Sequence, residues 1–153
     1  MHWLHPPKEK IYEALGALAD GRVEVEGNSA KVYSSSRNKL YQVDYDPETQ
    51  SIMANDNASF YREYLGYPAI AYLMLIGELS YEPRAAELLK GIPWKDLNET
   101  YKHDFEETIE HVFKERTGDE RRMIEDEVRS IEEQLRQKHY SLLGQKVRPP
   151  EGY

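Results

Sequence analysis

Apolar residues recur at spacings of three and four from Ile11 through Ala14 and Leu15 to Leu18, and the pattern stops at Asp20-Gly21. With Pro6 and Pro7 suited to a first turn, the spacing predicts an amphipathic helix over Pro7 to Ala19. The period then changes. Val23 and Val25 alternate with Arg22, Glu24 and Glu26, Gly27-Asn28 supplies a tight turn, and Val32, Tyr41, Val43 and Tyr45 carry the strand signal on. Ser34-Ser35-Ser36-Arg37-Asn38 and Asp46-Pro47-Glu48-Thr49 read as turns, the second leading into Ser51-Ile52-Met53-Ala54. A four-stranded antiparallel β-meander is expected, with one face packed on a helix because strand side chains alternate between faces.

From Ala58 the pattern is helical, interrupted at Gly66-Tyr67-Pro68. Pro68 suits the first position of a helix running to about Leu79, and Ala69, Ile70, Ala71, Leu73, Met74, Leu75 and Ile76 make it apolar nearly all round, the mark of a central buried helix. Pro83 starts a short helix that Gly91 ends. Trp94, Leu97, Tyr101, Phe105, Ile109, Val112 and Phe113 fall on one stripe, which predicts a helix reaching Thr117-Gly118-Asp119, with Asp119 placed to cap the next. In that last helix Ile124, Val128, Ile131, Leu135 and Leu142 form a narrow seam of the kind used by helix hairpins and coiled coils. The fold class is therefore α+β: an N-terminal helix, the meander, a central apolar helix and a C-terminal antiparallel helix hairpin. One domain over residues 1–143 is expected, with helix, meander and central helix in 1–80 and a helical region in 83–143, followed by a flexible tail at 144–153.

Composition narrows the chemistry. A chain of 153 residues is long enough to bury a core of its own, and the absence of cysteine excludes disulfides, thiolate metal sites and thiol catalysis. The longest nearly apolar stretch, Ala69 to Ile76, is far short of a membrane span, and the first residues have neither a charged nor an apolar leader region, so a cytoplasmic location without membrane contact is the expectation. The net charge of −8 is spread over both halves, and neither resembles a nucleic-acid-binding arm.

His103, Glu107 and His111 recur every four residues, a spacing that brings imidazole and carboxylate groups together on a helix and would suit a divalent metal. The same positions lie away from the apolar stripe, where a solvated face is the alternative, and no cofactor is expected. Carboxylate pairs for acid–base chemistry are available in principle, Asp44 with Asp46 or Asp56 with Glu63, although spacing does not show convergence. No Gly-rich phosphate loop or Gly-x-Ser-x-Gly segment is present. Lys31, Arg37 and Lys39, with Tyr33 and Tyr41 nearby, make a small basic and aromatic patch on the meander; three charges neutralise few phosphates, so nucleic-acid binding there would be weak and salt-sensitive. Tyr61, Tyr64 and Tyr67 cluster about Gly66, and tyrosine suits both half-buried packing and recognition surfaces.

The run from Val23 to Leu79 resembles the SWIM-type zinc finger in the order of its parts: serines at 34–36, Tyr41-Gln42-Val43, Asp46-Pro47, Ile52-Met53-Ala54 and Gly66-Tyr67-Pro68-Ala69-Ile70-Ala71. Ile52, Ala54, Ala69 and Ala71 stand where that family has its metal ligands. The resemblance implies apolar packing in place of zinc, and a role in binding DNA or protein.

With no catalytic constellation, the leading expectation is a non-catalytic interaction or regulatory module that binds a protein partner or self-associates through the tyrosines near Gly66 and the seam Ile124, Val128, Ile131 and Leu135. The alternatives are nucleic-acid binding through Lys31, Arg37 and Lys39, and a metal-dependent enzyme built on His103, Glu107 and His111.

Overall fold

The structure, a computed structural model, describes residues 1–151. Pro7 stands just before the first helix, α1 (Lys8–Ala19), whose residues from Ile11 to Ala17 are all buried. The chain turns through Gly21 into β1 (Val23–Glu26), β2 (Ser29–Tyr33), β3 (Leu40–Asp46) and β4 (Ser51–Ala54), an antiparallel meander as the alternation predicts. Gly27, at φ 63°, opens the two-residue turn that pairs Glu26 with Ser29. Ala30, Val32, Tyr41, Val43, Tyr45, Ile52 and Ala54 are buried toward the helices. A five-residue π-helix, Ala58–Arg62, then leads to the central helix α2 (Tyr67–Leu75), buried from Pro68 to Met74. α2 packs on α1 and on the sheet, where Tyr45 and Tyr72 meet edge-to-face at 6.0 Å. Ile52, Ala54, Ala69 and Ala71 all lie in this apolar core.

The helical half follows as α3 (Pro83–Glu87), α4 (Trp94–Thr100), α5 (Phe105–Phe113) and α6 (Gly118–Gln137). Three details depart from the periodicity. The stripe from Trp94 to Phe113 is two helices, because Lys102 and His103 take left-handed backbone angles of φ 53° and 63° between them. The last helix is capped by Thr117, not Asp119: the Thr117 hydroxyl accepts from the Glu120 N–H and the Glu120 carboxylate accepts from the Thr117 N–H, satisfying two end donors reciprocally. Finally, α6 stops at Gln137, before the seam reaches Leu142. Lys138 is extended, its ammonium donates to the Glu78 carbonyl, and Leu142 enters a fifth strand, β5 (Ser141–Leu142), parallel to β4.

The N-terminal residues hold this edge in place. The Trp3 amide donates to Tyr140 O at 3.0 Å, its indole N–H donates to Ile52 O at 2.9 Å, and the Leu142 amide donates to Met1 O at 2.9 Å. Of the last ten residues, Lys146 pairs with Glu63 at 2.7 Å and Arg148 lies over the Phe60 ring, while residues 152–153 of the expected tail lie outside the described residues. No helix among the described residues is long and apolar enough to cross a membrane.

Candidate functional site

A cavity of about 250 Å³ opens between the N-terminal half of α1, the turn between β2 and β3, the segment following β4, and α4. Its walls hold charged groups that protein interiors normally exclude. Lys10 and Glu13 project from successive turns of α1 and pair at 3.5 Å. Arg22 enters from the end of α1, only 2% exposed: its Nε–H donates to Asp20 Oδ2 at 3.1 Å, its Nη1–H to Tyr33 O at 2.8 Å, and the guanidinium lies 5.8 Å from the centre of the Tyr67 ring. Tyr67 in turn meets Tyr41 edge-to-face at 6.2 Å.

Asp56, 4% exposed, follows β4 and folds its carboxyl back over the start of the π-helix. It accepts from the Ser59 hydroxyl at 2.6 Å and the Ser59 amide at 3.2 Å, and Ser59 Oγ accepts from the Gly66 amide at 3.3 Å. Burial pushes the Asp56 carboxyl up, against the opposing hydrogen bonds from Ser59. Burial also pushes Glu13 up, with Lys10 opposing. For Lys10 burial acts downward, but Glu13, then Tyr64 and Asp56, outweigh it and the net direction is up. Tyr41 is raised by burial, and by Asp56 and Glu13, to about 12, and Tyr67 is raised further in the same direction. The mutual influence of Lys10, Glu13, Asp56, Tyr41 and Tyr67 marks them as one electrostatic unit at the cavity floor.

Two glycines admit these walls. A Cβ on Gly16 would lie 2.7 Å from the Trp94 indole nitrogen, so its absence lets Trp94 close over α1; Gly66 gives the same clearance to Asp56. Trp94 Nε1 is buried and has no hydrogen-bond partner among the described residues. Ser34, Ser35, Lys39, Lys95, Asn98 and His103 stand at the rim with one further carboxylate, Glu99, and the Lys95 amide donates to Ser35 Oγ at 3.2 Å.

The residues singled out from the sequence are distributed differently. Ile124, Val128, Ile131 and Leu135 are buried against the chain's own core, where α6 packs on α1 and α3, so the seam is consumed within the molecule and is not open to a partner. His103 sits in the left-handed turn at the cavity rim, off the helix that carries Glu107 and His111, and the break removes the four-residue register on which a shared metal depended. His111 Nδ1 instead faces the Tyr101 hydroxyl at 3.2 Å, and no group of metal-holding side chains occurs among the described residues. Lys31, Arg37 and Lys39 do not make one patch. Lys31 is on the outer face of the sheet opposite Gln42, Arg37 lies over Tyr33 and donates to Asp20 O, and Lys39 lines the cavity. Tyr61 is 65% exposed, Tyr64 bridges to Leu4, and Tyr67 belongs to the cavity. Asp44 accepts from Ser29 and Gln42, Asp46 closes its own turn, and Glu63 pairs with Lys146, so the acid that shares the cavity wall with Asp56 is Glu13.

Glu13 and Gly16 carried a signal that periodicity alone passes over. Glu13 interrupts the apolar span of α1 on a face that turns out fully buried, and Gly16 sits mid-helix, where glycine costs stability unless something approaches closely. No curated protein and no solved structure matches the chain. Over residues 3–141 it matches, and therefore belongs to, the family described as Uncharacterised conserved protein UCP014422.

Proposed function

We propose that the chain binds a small polar molecule in the cavity between α1, the meander and α4. The observation that carries this reading is the placement of Lys10, Glu13, Arg22 and Asp56 in the walls of a single cavity. Burying charge costs free energy that apolar residues would not, and such groups with displaced proton affinities in a concave site mark places where a ligand is bound or a proton moved. Tyr41, Tyr67 and Trp94 supply an apolar wall beside them, the usual composition of a small-molecule site. A cytoplasmic setting accords with a chain free of cysteine.

A thermal-shift screen of small polar compounds on the full chain tests the reading. A ligand at a hundredfold excess over its Kd adds about 2.7 kcal/mol of stability. Asn98→Trp, which fills the cavity from α4, is expected to abolish that gain. A ligand whose effect survives Asn98→Trp, or the absence of any stabilising compound, would overturn it.

A second reading, association with a protein, is favoured by one surface: Tyr61 is exposed and stacks edge-to-face with Phe60, and exposed Leu4 donates its amide to Glu63 O nearby. It predicts a concentration-dependent mass in light scattering that Tyr61→Ser removes. A single monomer mass at every concentration counts against self-association.

A further inference from the structure

The cavity's acids and cations are not equally occupied. Glu13 is engaged by Lys10 at 3.5 Å, and both oxygens of Asp56 accept from Ser59. Arg22 is held rigidly by Asp20, by Tyr33 O and by the ring of Tyr67, yet a guanidinium fork carries more N–H donors than those two acceptors use. Lys39 closes the β2–β3 turn just before β3, its amide donating to Ser34 Oγ at 3.1 Å; it lines the cavity, and among the described residues it has no ion-pair partner. Ser34 and Ser35 lie beside it, and Tyr41, Tyr67 and Trp94 line the remaining wall.

From this arrangement we infer that the cavity takes a small molecule bearing an oxyanion, a carboxylate or a phosphate, which Arg22 and Lys39 grip while its carbon skeleton rests on Tyr41, Tyr67 and Trp94. The inference rests on the ligand-binding reading above and specifies its chemistry. A guanidinium fixed before the ligand arrives matches the two oxygens of a carboxylate or phosphate and loses little freedom on binding. Lys39, at the rim, adds charge without needing to be buried.

The experiment follows the two indole N–H resonances of the isotope-labelled full chain while acetate and inorganic phosphate are titrated separately at constant ionic strength. Trp94 reports on the cavity, and Trp3, hydrogen-bonded to Ile52 O on the far side of the core, is the internal control. The expected result is a saturable shift of the Trp94 signal with at least one anion, an unmoved Trp3 signal, and an affinity reduced about tenfold in Lys39→Gln, the loss expected for one hydrogen bond to a charged group. Preference for acetate or phosphate identifies the carboxylate or the phosphate as the source of the oxyanion. No saturable shift with either anion, or an affinity unchanged in Lys39→Gln, overturns the inference. A parallel titration with small neutral and cationic polar compounds separates the two levels: if these move Trp94 while the anions do not, the oxyanion is wrong and the cavity reading stands, and if nothing moves it, both fall.

Discussion

The carboxyl of Asp56 occupies the space in which a side chain on residue 66 would begin: a Cβ built on Gly66 would lie 1.8 Å from Asp56 Oδ2 and 2.5 Å from its Cγ. Gly66 has an ordinary extended backbone, φ −77° and ψ 172°, so the requirement for glycine here comes from the neighbour and not from the chain's own conformation. Gly66→Ala must displace Asp56 from Ser59, with an expected loss of about 3 kcal/mol in urea unfolding. Because the cause is one contact, Asp56→Ala should absorb most of the added cost of Gly66→Ala in a double-mutant cycle; additive losses would show that the contact is not the cause.

The same carboxyl, with Glu13, sets a pH dependence whose sign follows from burial. Their ordinary values are 3.8 and 4.5, and both are raised in the folded chain, so above those values the folded state holds protons that the unfolded state has released. The stability they contribute is complete below the unfolded values and falls as pH rises through the folded ones. Asp56→Asn removes one of the two groups, so the variant's unfolding free energy should gain on that of the wild type as pH rises from about 4 toward neutrality. Parallel curves for the two proteins would show that Asp56 does not titrate in this way.

Ile131 is fully buried in α6, and Ile131→Ala should cost about 3 kcal/mol through lost burial and the cavity left behind. Light scattering should give the same mass for variant and wild type. A variant of native stability but altered mass would return the α6 seam to the role of an intermolecular surface.

Thr117 and Glu120 close the start of α6 with a reciprocal pair of hydrogen bonds at 3.1 and 3.0 Å. Removing the cap with Thr117→Ala is expected to lower stability by about 1 kcal/mol, whereas Asp119→Ala, one residue into the exposed first turn, should change it little. Equal losses for the two would point to charge at the helix end and not to the cap.

Much of the architecture was legible because it depends on local patterning. Alternation at Val23, Val25, Val32, Val43 and Tyr45 and the Gly27-Asn28 turn specify a meander whatever packs on it, and the all-round apolar segment after Pro68 has no stable place except the centre of a fold. The helical stripes are not continuous in the fold. Lys102 and His103 adopt left-handed angles that no periodicity announces, and Leu142 keeps the spacing of a seam that ends at Gln137, because Ser141 and Leu143 donate to Gln50 O and Ile52 O at the sheet edge while Leu142 donates to Met1 O.

The candidate site divides along the same line. The sequence by itself determined the order of the main helices and strands and that thiol chemistry is absent; it offered Asp56 as an acid but paired it with Glu63, which the fold gives to Lys146. That Asp56 faces Glu13 and Lys10, that Arg22 lies under Tyr67, and that Lys39 turns inward while Lys31 turns out were decided by tertiary structure alone. A side chain's period reports which face of its own element it occupies, but a cavity is made by the distance between elements, and here that distance is set by two glycines, Gly16 and Gly66, whose missing side chains have meaning only once Trp94 and Asp56 are in place.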